Sequence, residues 1–104
     1  MAWMYILRCV DGSYYVGSTI DLQRRIVEHN DGIGAQYTAR RRPVELVFSA
    51  KFPDIRQAYA AEKKVQGWSR AKREALIRGD FEALPGLSKK DFTKYHGKRE
   101  PNNE

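Results

Sequence analysis

The chain has 104 residues, enough for one domain rather than two. Lys and Arg number 19 against 13 Asp and Glu, a formal net charge of +6, and apolar residues make up 41%, which excludes a wholly disordered chain. The longest run without a charged residue is Gly12 to Ile20, nine residues, too short to span a bilayer as a helix.

Trp3 to Cys9 is rich in aromatic and branched residues and reads as a strand. Asp11-Gly12 is a hairpin-turn signal, and Tyr14 to Ser18 is the returning strand. Asp21 caps a helix from Leu22 to about Asn30. Gly32 to Pro43, with two Gly and three consecutive Arg, reads as a loop. Val44 to Phe52 is a third strand, ended by Pro53. Asp54 and Gln57 resemble a capping box opening a helix to about Gly67, and Ser69 caps another that closes near Gly79. Pro85-Gly86 breaks the chain again, and the last residues are expected to be mobile. The order ββαβαα predicts a small α+β domain, a three-stranded antiparallel sheet flanked by helices, over residues 1–79. Residues 80–104 are expected to form a partly disordered C-terminal extension.

Met1-Ala2-Trp3 runs into an apolar segment with no basic n-region, so no secretory signal is expected and a cytoplasmic setting is. The single Cys9 excludes an internal disulfide, and with His29 and His96 it makes no closed zinc site. Cys9 reads as a small buried hydrophobe.

Residues 1–79 hold 14 Lys and Arg against 8 Asp and Glu, so they carry the whole positive excess; residues 80–104 are charge-neutral. A basic domain with several tyrosines suggests a polyanion partner, most often nucleic acid. An anionic membrane fits less well, because no helix sets a basic face against a strongly apolar one.

Several charged residues fall on core-facing stripes. Leu22 and Ile26 make the apolar face of the first helix, and Arg25 and His29 share it. Ala58, Ala61 and Val65 define a face of the second long helix, and Glu62 lies within it. A buried carboxylate needs a cation. Arg25 could supply it as an ion pair, or a divalent metal could, and composition does not choose. Arg70, Lys72 and Arg73 oppose the dipole of the helix that Ser69 begins, which suits either an anion docked there or a tolerated surface cost.

These residues together resemble the GIY-YIG nuclease superfamily, and most closely its small stand-alone members. The resemblance covers about residues 3 to 79. It rests on Tyr5-Ile6-Leu7, Tyr15-Val16-Gly17-Ser18-Thr19, Asp21-Leu22, Arg25, His29, Tyr37-Thr38, Arg42-Pro43, Ala58…Glu62 and Ser69-Arg70. It implies a metal-dependent endonuclease that hydrolyses phosphodiester bonds in DNA, with RNA a further possibility. By that resemblance Tyr15 activates the attacking water, and Tyr5 shares the site. Arg25 contacts the phosphate, His29 assists proton transfer or orientation, and Glu62 holds a single Mg²⁺ or Mn²⁺. The substrate-holding surface would be Tyr37, Arg40, Arg41, Arg42, Ser69, Arg70, Lys72 and Arg73. Two positions depart from the pattern: Trp3-Met4-Tyr5 keeps only the motif tyrosine, and Gln66 stands where the nearest relatives are expected to carry a lysine.

The alternative is a non-catalytic nucleic-acid-binding domain on the same fold. Glu62 separates the two, because a carboxylate among phosphate contacts repels DNA unless it holds a cation. A third reading makes Arg25 and Glu62 a buried structural pair. The hairpin adds an internal test. A two-residue Asp11-Gly12 loop pairs Val10 with Ser13 and puts Tyr5 and Tyr15 on opposite sheet faces. A three-residue loop with Gly12 as a bulge pairs Cys9 with Ser13 and puts both on one face. A shared active site requires the second register, which is the one predicted.

Overall fold

A computed structural model describes residues 1–80. The expected extension, with its Pro85-Gly86 break and mobile end, therefore lies outside the described residues apart from Asp80. The elements are β1 (Ala2–Arg8), β2 (Tyr14–Thr19), α1 (Leu22–Asn30), α2 (Gln36–Ala39), β3 (Glu45–Phe52), α3 (Ile55–Gln66) and α4 (Arg70–Arg78). The expected ββαβαα order holds with one addition. The Gly32–Pro43 stretch is not wholly loop, because Gln36–Ala39 closes one helical turn with the Ala39 N–H donating to the Ala35 carbonyl.

The sheet is antiparallel in the order β2-β1-β3. β1 is central and covered on both sides, so its residues are buried almost continuously rather than in alternation. Ala2, Met4 and Ile6 join Val16, Phe48 and Phe52 beneath α3 and α4, which contribute Ala58, Val65 and Leu76. Tyr5 and Leu7 point the other way, with Leu22 and Ile26 of α1 and Val44 and Leu46. The helices α1, α3 and α4 begin where their caps predict. The side chains of Asp21, Asp54 and Ser69 accept hydrogen bonds from the backbone N–H of Arg24, Gln57 and Lys72, each cap worth about 1 kcal/mol. Among the described residues no helix is long and apolar enough to cross a membrane.

The β1–β2 hairpin takes the three-residue register. Tyr5 pairs with Gly17 and Leu7 with Tyr15. The Cys9 N–H donates to the Ser13 carbonyl at 2.8 Å, and Gly12 sits at φ 86°, the left-handed bulge that such a loop needs. Tyr5 and Tyr15 therefore share the α1 face. Asp11 and Arg41 form an ion pair at 3.0 Å, and the Val10 N–H donates to the Arg41 carbonyl, so the hairpin tip is tied to the arginine-rich loop.

Candidate active site

Tyr5 projects from the middle of β1 and is 1% exposed. Its ring lies 6.4 Å from that of Tyr15, centroid to centroid. Gly17, opposite Tyr5 on β2, makes this approach possible, since a Cβ there would stand 2.6 Å from Tyr5 Oη. His29, in the last turn of α1, is fully buried and lies under both tyrosines. Its Nε2 is 2.8 Å from Tyr5 Oη, and its Nδ1 is 2.8 Å from Thr38 Oγ1 on α2. Arg25 sits one turn earlier on the same helix face. Its Nη1 donates to Glu28 at 2.9 Å and its Nη2 to the Gly34 carbonyl at 2.9 Å.

Glu62 reaches the site from the other side of edge strand β2. It is 9% exposed. Ser18 Oγ donates to its Oε1 at 2.6 Å, and Gln66 Nε2 donates to its Oε2 at 2.7 Å. Gln66 also donates to the Val16 carbonyl, so α3 is stitched to β2 through the carboxylate. The Arg25–Glu62 ion pair of the structural reading is not formed. Glu28 is three residues from Arg25 on the same helix and takes the guanidinium first. Among the described residues no ion pair reaches Glu62.

Burial sets the electrostatics. It pushes the Tyr5 phenol above the usual tyrosine range, with Tyr15 adding and Arg25 opposing. Tyr15 is pushed up by burial and by the Glu62 charge, against the pull of Arg25 and Lys63. Burial, and then the Arg25 charge, pull His29 down to about 4, so the imidazole is neutral at pH 7. Among the described residues Glu62 is a buried carboxylate with two neutral donors, no ion pair and lone pairs to spare. Among the described residues no three His, Cys, Asp or Glu side chains gather as a metal cluster. A cation here would have one protein carboxylate and otherwise water or substrate oxygens, which is the habit of Mg²⁺. The donor set fits such an ion.

The expected substrate-holding residues divide. Tyr37 stacks on Tyr15 with centroids 6.1 Å apart, and Arg41 lies 3.9 Å over the Tyr37 ring. Tyr14, Tyr15, Tyr37, Gln66 and Arg73 line a cleft of ≈ 310 Å³ that straddles β2. Arg40 is exposed, with no ion pair among the described residues. Arg42 folds back onto the carbonyls of Ala39 and Asn30. Arg70 pairs with Glu74 and lies over Tyr14, Lys72 lies over Trp68, and Arg73 donates to the carbonyls of Val65 and Gln66. Ser69 is occupied as a cap. The cations of the first turn of α4 thus have neighbours that offset their quarrel with the helix dipole. A larger cavity of ≈ 510 Å³ beside Trp3, Leu22 and Ile26 has Asp21 as its one ionisable lining residue and lies away from this chemistry.

A description of the GIY-YIG catalytic domain matches residues 1–75. The chain belongs to the GIY-YIG family. This GIY-YIG chain is 45% identical over 75 residues to a UPF0213 protein of Bacillus pumilus (strain SAFR-032), covering 72% of this chain and 76% of that one. The UPF0213 protein YazA of Bacillus subtilis (strain 168) is 45% identical over 75 residues, with the same coverage of each chain. The solution NMR structure of the UPF0213 protein BH0048 from Bacillus halodurans is 42% identical and has a TM-score of 0.50, covering 85% of this chain and 98% of that one. GIY-YIG domains are typically those of endonucleases, so the family implies a nucleic-acid substrate in general.

Four further residues contact the candidate site without having been given a role from sequence: Ser18, Gly34, Thr38 and Gln66. Gln66 had a usable signal, since it stands four residues after Glu62 and so on the same helix face. Ser18 and Thr38 lay inside quoted motifs. Gly34 carried no signal. Its Cα lies so close to α1 that a Cβ would stand 2.5 Å from His29 Nδ1.

Proposed function

We propose that the protein is a metal-dependent endonuclease that hydrolyses phosphodiester bonds in DNA of single-stranded, branched or damaged form. One observation carries this reading: Glu62 is buried at edge strand β2, its charge is felt by Tyr5 and Tyr15 on the other face, and no ion pair reaches it among the described residues. A structural carboxylate would be paired, and a carboxylate in a mere phosphate-binding cleft would repel the ligand. Glu62 would hold one Mg²⁺ or Mn²⁺, with Ser18 and Gln66 fixing its two oxygens. When bound, that ion supplies positive charge against the phosphoryl and leaving oxygens and relieves the carboxylate's upward push on Tyr15.

The chain's own groups do the rest. Tyr15 would take a proton from the attacking water, a role its position at the border of the cleft supports. Arg25, pinned by Glu28 and the Gly34 carbonyl, presents fixed charge where negative charge accumulates. His29 is neutral and orients Tyr5 rather than donating charge. Backbone recognition with little base readout suits the small cleft and the exposed Arg40. The test is incubation of the purified protein with end-labelled single-stranded, duplex and branched DNA and with RNA, in Mg²⁺ or EDTA. Wild type should cut in Mg²⁺ alone, and Tyr15→Phe should lose about 10²-fold or more. Binding without cutting in any metal would replace the enzyme with a nucleic-acid-binding domain.

A further inference from the structure

His29 and Thr38 are fully buried, so their polar atoms must satisfy one another and their neighbours. A neutral imidazole has one donor and one acceptor nitrogen. Two proton arrangements therefore compete along the line Tyr5–His29–Thr38. In the first, His29 Nδ1 carries the proton and donates to Thr38 Oγ1. Thr38 then sends its own proton to the Ala35 carbonyl, 3.1 Å away, and the Tyr5 hydroxyl donates to Nε2. In the second, Nε2 carries the proton and donates to Tyr5, while Thr38 donates to Nδ1. The Tyr5 proton then needs another acceptor. Among the described residues no hydrogen bond from that hydroxyl reaches an acceptor other than His29, and the nearby Arg25 guanidinium has donors only. The first arrangement leaves every one of these groups paired, and the second strands a buried hydroxyl.

We propose that Thr38 is a positioning residue that fixes His29 in the Nδ1–H tautomer. Tyr5 then donates to Nε2 and keeps its oxygen lone pairs for Arg25. The proton directions run one way, from Arg25 through Tyr5, His29 and Thr38 to the backbone of α2. The catalytic consequence rests on the nuclease reading above; the tautomer does not.

The test is side-chain ¹⁵N NMR of the histidine-labelled full chain at pH 7, with cleavage measured in parallel. Wild type should show His29 Nδ1 as the protonated nitrogen and Nε2 as the bare one. Thr38→Val is close to isosteric but gives Nδ1–H no acceptor. It should move the spectrum towards Nε2–H and lower kcat about tenfold, with KM for DNA little changed. Thr38→Ser should restore both. An Nε2–H tautomer in the wild type, or an unaltered tautomer in Thr38→Val, would overturn the proposal. If Thr38→Val fails to fold, the wild-type spectrum and Thr38→Ser still decide. The expected tautomers in a protein that cuts nothing would uphold the role of Thr38 and reject the nuclease reading.

Discussion

At the scale of single residues, burial holds the tyrosines and the histidine of the centre in their neutral forms. His29 shows it most plainly. Its folded pKa is near 4 against the usual 6.5. The unfolded chain therefore binds more protons than the folded one between those values, and stability rises with pH across that window. The His29 contribution is fully present above about pH 6.5 and is lost as pH falls towards 4, at up to about 1.4 kcal/mol per pH unit. Urea midpoints measured from pH 4 to 7 should show that slope in the wild type and a flatter one in His29→Gln. Equal slopes would mean that His29 is solvated. The residues with roles were largely legible as residue types out of place: Arg25 and His29 on an apolar stripe, Glu62 on another. Ser18 and Thr38 were not, because Ser and Thr are ordinary on strands and turns. The meaning of Ser18 comes from a partner 44 residues away in the chain.

At the scale of elements, the hairpin and the α1–α2 connection hold the site together. The Asp11-Gly12 signal left two loop lengths open, the shared site implied by the family resemblance chose the three-residue one, and the Cys9–Ser13 pairing bears it out. The short helix α2 was not readable. It has four residues, no side-chain cap and too few turns for any periodicity to show. Yet its segment supplies the Gly34 carbonyl to Arg25 and the Thr38 hydroxyl to His29. A methyl at Gly34 would press on the His29 ring and on the α1 backbone, 2.9 Å from His29 Cα. Gly34→Ala should therefore destabilise the protein by about 1–3 kcal/mol in urea unfolding. Gly67→Ala, where the nearest atom is 3.6 Å away, should be neutral or stabilising by up to about 1 kcal/mol. Equal effects at the two glycines would show that α2 can move away from α1 without loss.

At the scale of the whole molecule, the +6 charge is less available than its size suggests. Arg25, Arg41, Arg42 and Arg73 are bound to carboxylates or backbone carbonyls and hold loops and helix ends in place. Arg40 is left exposed, so the sequence's arginine clusters marked architecture as much as substrate contact. Composition could not separate the two uses, because both place arginine near loops. Against this basic background Glu62 stands out as the buried carboxylate that no ion pair reaches among the described residues, and the proposal turns on it. Mn²⁺ titration followed by the electron paramagnetic resonance signal of free Mn²⁺ tests it most directly. The account predicts one Mn²⁺ bound per wild-type chain and none in Glu62→Gln, with the variant still folded. Undiminished binding in Glu62→Gln, or none in the wild type, would contradict it.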